Sequence, residues 1–358
     1  MKKIDLYIIR KFLGTFFLSI ALIISIVIVF DISEKLEDFI SKEAPIKAIV
    51  FDYYLNFIPY FVNLFAPLFT FISVIFFTSK MASNTEIVAI LGSGVSFKRL
   101  LFPYMIAASV IASLSLYLNF YVIPKANARR LKFEEDYIRV KMQFTRQNAH
   151  IQDSPNTYLY FESYNTFDNI GYKFTLEKFE NKKMIYKMGS DFIRWDSTHK
   201  SWSLENYWLR SFNGLNETLK TGAKLDTVFN VKPKEFSKRT TDVKAYDIDE
   251  LNEYIKEETL KGSDIVPFYL VEKYQRSSMP FATFILTLIG VAISSRKVRG
   301  GIGMHIGFGL AVSFSYLMFL QIFTTFAYYA GFPPFAAVWI PNAMYLIISL
   351  ILLRMAPK

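Results

Sequence analysis

The segment Phe12–Phe30, FLGTFFLSIALIISIVIVF, contains 19 consecutive residues without a charged side chain. An α-helix rises 1.5 Å per residue, so about 20 apolar residues cross the roughly 30 Å hydrocarbon core of a bilayer. Five further stretches of similar length are uncharged apart from His305: Tyr53–Ser79, Leu100–Ile123, Ser277–Ser295 and the two halves of Gly300–Leu353, which Gly331-Phe332-Pro333-Pro334 divides. The sequence therefore predicts an integral membrane protein with six transmembrane helices.

A polar insert, Lys125–Gln275, divides these spans three and three. After a charged, helical start at Ala126–Lys141, its residues alternate between apolar and polar, as in half-buried strands. The predicted strands are Tyr158–Phe161, Tyr172–Leu176, Met184–Tyr186, Phe192–Trp195 and Trp202–Leu204, and Asn213-Gly214 is a strong hairpin signal. This spacing points to an antiparallel sandwich or barrel. An amphipathic helix from Asp247, stopped by Gly262, is predicted to follow.

The predicted fold is thus a membrane-embedded α-helical bundle, 3+3, with an inserted all-β domain. We expect domains at 1–124, 125–275 and 276–358, the first and last holding three spans each.

The position of the charges predicts how the chain is oriented. The chain has a net charge of +10, which in a soluble protein would suggest nucleic acid as a partner. Here the basic residues cluster at alternate short loops: Lys2, Lys3, Arg10 and Lys11, then Lys80, Lys98 and Arg99, then Arg296, Lys297 and Arg299, then Arg354 and Lys358. The positive-inside rule places these loops and both termini in the cytoplasm and the large insert in the periplasm. No nucleic-acid partner is expected.

Signatures of catalysis are missing from the sequence. Because there is no cysteine, disulfides, thiolate metal sites and cysteine nucleophiles are excluded. Gly300-Gly301-Ile302-Gly303 lacks the spacing of a phosphate-binding loop, and the three histidines are too scattered for a metal site. The polar residues inside the spans are uncharged, which disfavours a proton-coupled pump. We predict no enzyme, no cofactor and no metal.

The loop between the second and third spans predicts a short cytoplasmic helix. Ser83-Asn84-Thr85-Glu86 matches a capping box, and Gly92-Ser93-Gly94 is a stop signal, so a helix of about two turns is expected at about 83–92. Two interpretations are open. A partner protein could push or pull on this helix, or Glu86 could merely cap it.

Two further sets of residues are candidates for contacts outside the chain. Gly303 and Gly307 form a GxxxG pair, which lets a second helix approach closely, in this chain or in a partner. Basic residues at the outer ends of spans one and three could hold lipid phosphates. They are Lys35, Lys42, Arg129 and Arg130. The simpler alternative is that they pair with nearby Glu34, Glu37, Glu134 and Glu135.

Three segments resemble the lipopolysaccharide-transport permeases LptF and LptG, the YjgP/YjgQ family. Tyr7–Phe12, YIIRKF, leads into span one, and Val122–Asn127, VIPKAN, is similar to the family's exit from span three. The segment Thr85–Ser96, TEIVAILGSGVS, resembles its cytoplasmic loop, and the resemblance continues through the lone Arg276 and the glycine-rich fifth span. It covers essentially the whole chain.

The resemblance implies one half of an unusual exporter of the ATP-binding-cassette type. Two six-helix permease subunits would sit on a cytoplasmic ATPase dimer, take lipopolysaccharide from the inner membrane and pass it to a periplasmic jellyroll bridge. The helix around Ser83, Glu86, Ala89, Gly92 and Gly94 would couple to the ATPase. Spans one and five would line a lateral gate, which gives Gly303 and Gly307 a role, and the insert would be jellyroll-like.

Other classes of function compete with transport. A receptor or assembly scaffold that does not transport would use its periplasmic sheet to bind a protein, and would tolerate changes in the cytoplasmic loop. An enzyme that modifies lipids would need a catalytic constellation that the sequence does not contain. The uncharged spans, the short cytoplasmic helix and the 3+3 arrangement favour transport.

Overall fold

The computed structural model describes residues 2–138, 145–214, 216–236, 240–295 and 301–356. The chain forms two compact units. The first contains Met1–Ile138, Val243–Leu251 and Pro267–Lys358, and the second contains Arg139–Asp242 and Asn252–Val266.

The first unit is helical. The first half of the chain contributes α1 (Lys3–Ser41), α2 (Ile46–Ala48), α3 (Leu55–Ser83), α4 (Glu86–Gly92), α5 (Phe97–Tyr117) and α6 (Ile123–Tyr137). Single π-helical segments, Ile49–Tyr54 and Leu118–Val122, join α2 to α3 and α5 to α6. The second half contributes α9 (Val266–Ser294), α10 (Gly301–Tyr329) and α11 (Pro334–Met355). Within the described residues six helices are long and apolar enough to span a membrane, so the predicted number of spans is confirmed.

The helix α3 lies at the centre of this bundle. It contacts α1, α5, α6 and α10, and it also packs against α9, where a Cβ on Gly290 would lie 2.9 Å from Val74 Cγ1. Two apolar clusters meet α3 at different faces. Val74 and Phe77 pack towards α1 and α5, and Phe71 and Ile75 pack towards α9, α10 and α11.

Buried asparagines inside the bundle form hydrogen bonds between helices. Asn63 Nδ2 donates to Asn119 Oδ1 at 2.9 Å, so α3 is joined to the π-helical segment after α5. The hydroxyl of Tyr316 donates to Asn342 Oδ1 at 2.9 Å, and Asn342 Nδ2 donates to the Ser278 carbonyl at 3.1 Å. Such bonds hold helices together where no water is present to satisfy polar groups.

The second unit contains one antiparallel sheet of six strands. They are β1 (Thr145–Ser154), β2 (Thr157–Asn165), β3 (Ile170–Glu180), β4 (Lys183–Asp196), β5 (Ser201–Asn213) and β6 (Asn216–Thr227). Each strand pairs with the next one in the chain, in the order β1-β2-β3-β4-β5-β6. Because the sheet lies between the third and fourth spans in the chain, the predicted fold class, a helical bundle with an inserted all-β domain, is confirmed.

One face of the sheet carries an aromatic core. Trp202 is fully buried, and its Nε1 donates to the Val231 carbonyl at 2.9 Å. Phe161, Tyr164 and Phe236 pack in the same cluster. Phe236 belongs to the short helix α7 (Pro233–Phe236) after β6, so residues that follow the sheet cover this face.

The strand β4 differs from the sequence prediction. Met184–Tyr186 and Phe192–Trp195 were predicted as two strands, which is wrong, because both belong to β4. The intervening Gly189 resembles a turn residue in the sequence. In the structure it pairs with Trp208 of β5, and a Cβ on Gly189 would lie 2.4 Å from Trp208 Cζ2. The glycine therefore makes room for the tryptophan ring and does not end the strand.

The structure contains the hairpin that was predicted at Asn213-Gly214 and the helix that was predicted after the sheet. Gly214 adopts a φ of 64° between β5 and β6, as the hairpin signal predicts. After the sheet and a 3₁₀ turn (Thr240–Ala245), α8 (Ile248–Leu260) is capped by Asp247, whose Oδ1 accepts from the backbone N–H groups of Asp249 and Glu250. Gly262, with a φ of 65°, follows its end.

Candidate functional site

The short helix α4 is connected to α3 by a very tight turn. Because α3 continues to Ser83, only Asn84 and Thr85 are left to reverse the chain. Thr85 consequently adopts a left-handed conformation with a φ of 62°, which is uncommon for a β-branched residue. Gly94, with a φ of 88°, ends the segment before α5.

The predicted capping box at Ser83–Glu86 is wrong. The Ser83 hydroxyl belongs to the last turn of α3 and donates to the Lys80 carbonyl at 2.9 Å. The helix predicted from Ser83 begins at Glu86, and no side chain caps it. Glu86 is therefore available for other partners: its Oε1 accepts from Asn84 Nδ2 at 3.3 Å, and its Oε2 accepts from the Tyr7 hydroxyl of α1 at 3.1 Å.

A partly buried ion pair lies beside this contact. Asp5, in the first turn of α1, is only 3% exposed, and Arg99 of α5 binds it with both guanidinium nitrogens, Nη1–Oδ1 at 2.8 Å and Nη2–Oδ2 at 2.6 Å. The backbone N–H of Lys2 also donates to Asp5 Oδ2, at 2.8 Å. Such two-pronged arginine–carboxylate pairs are among the strong polar interactions of proteins.

The helix α4 has one buried and one exposed face. Ile87 is 1% exposed and packs in the apolar cluster that contains Ile8 of α1 and Phe97 of α5. On the other face Val88, Ala89 and Gly92 are exposed, and Val88 is 64% exposed. Ile87 therefore fixes the helix to the bundle. The described part of this chain does not cover the opposite face of α4.

At the opposite end of α1, Lys35 lies in a cluster of polar and aromatic side chains. Its Nζ pairs with Asp31 Oδ1 at 2.5 Å and also donates to the Tyr53 hydroxyl. The Tyr54 hydroxyl donates to Asp31 Oδ2 at 3.0 Å. The structure thus supplies a carboxylate partner for Lys35, although it is Asp31 and not Glu34 or Glu37. Lys42 is half-buried just after the end of α1.

The basic residues of α6 have different environments. Arg129 is exposed, whereas Arg130 pairs with Glu134, Nε–Oε1 3.4 Å, and lies over the Tyr60 ring at 5.5 Å. Lys244, which the sequence did not single out, donates to the Tyr60 hydroxyl at 2.7 Å. The side chains of Arg130 and Lys244 therefore both contact Tyr60, close to the carboxylate of Glu134. The sequence left open whether Arg130 pairs with a nearby glutamate or holds a lipid phosphate, and in the structure it pairs with Glu134.

Arg276 has a structural environment that the sequence did not reveal. It is 3% exposed, and its guanidinium donates to the carbonyls of Tyr246 at 2.8 Å and Val243 at 3.1 Å. Its Nε also bonds Glu272, one turn earlier in α9, at 3.3 Å. This arginine holds the segment at 243–246 against the start of the fourth span.

Gly303 and Gly307 have an open face in α10. No described atom of this chain lies within 4 Å of a Cβ built on either glycine. Gly309, in contrast, packs against Ile75 of α3. The sequence left open whether this GxxxG face packs against a helix of this chain or of a partner. Among the described residues, no helix of this chain packs against it.

Comparison with known proteins identifies the family. Residues 6–355 match the model of the lipopolysaccharide export system permease LptF/LptG. The chain is 22% identical over 311 residues to the lipopolysaccharide export system permease protein LptG of Escherichia coli strain K12, with 84% of each chain covered, and to the same protein of Escherichia coli O6:H1 with the same identity and coverage. This chain, a multi-pass protein of the inner membrane, belongs to the LptF/LptG family of lipopolysaccharide export permeases.

Proposed function

We propose that this chain is one permease subunit of an exporter that takes lipopolysaccharide from the inner membrane and is driven by a separate cytoplasmic ATPase. The observation that carries the proposal is the match to the permease family over residues 6–355. In this proposal the chain supplies the path for the lipid and no catalytic group.

The exposed face of α4 is the proposed contact with the ATPase dimer. Ile87 anchors the helix in the bundle, while Val88, Ala89 and Gly92 face outwards with Glu86 at the start. A short helix anchored in this way can transmit a force that a partner applies to its outer face. In this proposal Ser83, at the end of α3, and Gly94, before α5, lie next to the two turns that position the helix.

Helices α1 and α10 are the proposed contacts with a second permease subunit of the same family. In the most apolar part of each, 22% of the residues are buried, against 61% for the second span and 67% for the fourth. The open face at Gly303 and Gly307 lies on α10 and would let a helix of the partner approach closely. The two helices would form the lateral gate through which the lipid enters.

The outer ends of α1 and α6 are the proposed sites for the phosphates of the substrate. Arg129 is exposed there, and Arg130 and Lys244 converge on Tyr60. Lys35 would have to exchange its bond to Asp31 for a phosphate, whereas Lys42 lies at the end of the same helix. The β domain would receive the acyl chains and pass them to periplasmic jellyroll bridge proteins.

Depletion of the protein in cells tests the function. Lipopolysaccharide is expected to accumulate in the inner membrane fraction and to decrease in the outer membrane. A normal distribution after depletion would contradict transport and favour a receptor or scaffold.

The proposed orientation predicts the result of cysteine labelling. The chain has no cysteine, so a single one can be introduced without background. Lys47 and Lys98 are exposed; Lys47 lies at the start of the second span and Lys98 at the start of the third. Because the second span separates them, the proposed orientation places them on opposite sides of the membrane. Lys47→Cys should react with a membrane-impermeant maleimide in the periplasm of otherwise intact cells, whereas Lys98→Cys should react only after the inner membrane is opened. The reverse pattern would contradict a cytoplasmic location of the termini and of α4.

A further inference from the structure

The first two turns of α1 are attached to α4 and to the start of α5. Tyr7 bonds Glu86 of α4, and Asp5 binds Arg99 of α5. Ile8, between them in the sequence, packs with Ile87 in one apolar cluster. Polar and apolar contacts thus join the start of α1 to α4.

Along the bilayer α1 packs by a narrow stripe. Its buried residues include five that are spaced by four positions, namely Ile8, Phe12, Phe16, Ile20 and Ile24. Residues on the other sides are exposed, such as Leu18 at 63% and Leu22 at 60%. Side chains four positions apart lie on one face of a helix, so this face carries most of the buried side chains of α1, with Leu13 and Ile23 partly buried beside it.

Polar contacts hold α1 again at its far end. Asp31 accepts from Tyr54 and pairs with Lys35, and both tyrosines of that cluster precede α3. Between Asp5 and Asp31 the helix is continuous and contains no proline. An uninterrupted helix that packs by one face and has polar attachments at both ends can move as one body.

We propose that Tyr7 and the Asp5–Arg99 pair are positioning residues that make α1 follow the loop between α3 and α5. Tyr7 joins α1 to α4 through Glu86, and Asp5 joins α1 to the start of α5, which follows α4 in the chain. A displacement of the short helix would then reach the Asp31–Lys35 cluster at the other end of α1. The inference rests on the proposed function, because it assumes that an ATPase moves α4. Tyr7 shares Glu86 with Asn84, and it contributes the one described hydrogen bond that crosses from α4 to α1.

The test uses the complete complex of permease and ATPase in proteoliposomes that contain lipopolysaccharide. Three quantities are measured: the amount of bound ATPase, the rate of ATP hydrolysis, and the amount of lipopolysaccharide released per ATP. Tyr7→Phe removes only the hydroxyl, and Asp5→Asn keeps the shape of the side chain but removes the charge. Tyr121→Phe, at an exposed tyrosine in the segment that joins α5 to α6, is the matched control.

In Tyr7→Phe the release per ATP should fall about fivefold, the factor that loss of one ordinary hydrogen bond implies. The double variant Tyr7→Phe/Asp5→Asn should lose about tenfold or more, because a charge-assisted pair is weakened as well. Bound ATPase, ATP hydrolysis and the thermal unfolding temperature of the complex should stay near those of the control. Spin labels on α1 and α4 should also show that the two helices cease to move together when ATP is added.

A release per ATP within twofold of the control in the double variant would overturn the inference. Dissociation of the ATPase or unfolding of the variants would overturn it too, because the residues would then serve assembly or stability and not transmission. Failure of the unmodified complex to bind ATPase or to release lipid would reject the proposed function itself, and the two results are therefore distinguishable.

Discussion

Replacing Glu86 by arginine is expected to abolish export by detaching the ATPase. Glu86 lies at the start of α4, beside the exposed residues Val88 and Ala89 that form the proposed contact. Reversal of a charge at a protein interface typically costs about 2–5 kcal/mol, which weakens binding by roughly 30-fold or more. The variant also loses the acceptor of the Tyr7 hydroxyl. Co-purification of the ATPase and the amount of lipopolysaccharide in the outer membrane measure the effect.

Two control variants separate the role of the charge from that of the fold. Glu86→Gln keeps an acceptor for Tyr7 and should have a smaller effect than the arginine. Glu135→Arg makes the same charge change at an exposed position of α6 and should leave the bound ATPase unchanged. A complex that keeps its ATPase and exports normally with Glu86→Arg would exclude α4 as the coupling element.

Replacing Trp202 by alanine is expected to unfold the β domain locally. The indole is fully buried, its centroid lies 5.1 Å from that of Trp195, and its Nε1 satisfies the Val231 carbonyl. Truncating a large buried aromatic residue costs about 3–5 kcal/mol, from lost packing and the remaining cavity. The loss also leaves a buried carbonyl without its donor, which adds to the cost.

Hydrogen exchange of the full-length protein in detergent measures this effect. Amides of β2, β3 and β5 should exchange at least about 100-fold faster in Trp202→Ala, because every 1.4 kcal/mol corresponds to a factor of about ten. Amides in α3 and α9 should keep their protection. Phe192→Ala, a large residue of the same sheet that is 42% exposed, is the control and should change exchange little. Equal exchange in both variants would contradict the assignment of the aromatic core.

The elements that could be predicted from the sequence are those fixed by local patterns. The spans follow from length and lack of charge, since each of the first three, Lys3–Ser41, Ile46–Ser83 and Phe97–Tyr137, contains one of the uncharged stretches. The hairpin at Asn213-Gly214 and the helix after Asp247 are specified by a few adjacent residues. The Asn213-Gly214 signal also implied a strand after it, which the structure shows as β6.

The elements that could not be predicted depend on partners far away in the chain. The strand β1 is too polar to show an alternating pattern. The strand β6 was implied only by the hairpin signal before it, because it is exposed along much of its length and shows no alternation of its own. Arg99, interpreted from the sequence only as a topology signal, binds Asp5, 94 residues earlier. Lys244 was not recognised because its partner, Tyr60, is 184 residues away.

In the candidate site, too, the features that depend on contacts with distant residues could not be predicted from the sequence. The existence and approximate length of α4 could be predicted from its glycines, but not its beginning. The capping motif at Ser83 fits a helix start equally well whether or not α3 continues through it, and packing of α3 against its neighbours decides which occurs. Likewise, the sequence could not choose between a phosphate and a carboxylate as the partner of Lys35, whereas the structure places Asp31 on it.

The most direct measurement is release of lipopolysaccharide from proteoliposomes that contain the permease with or without the ATPase. With the ATPase and ATP, lipid should be transferred to a soluble periplasmic acceptor protein, and without the ATPase the transfer should fall to the background of empty vesicles. Equal transfer in the absence of the ATPase would contradict the account, because the chain would then move the lipid by itself.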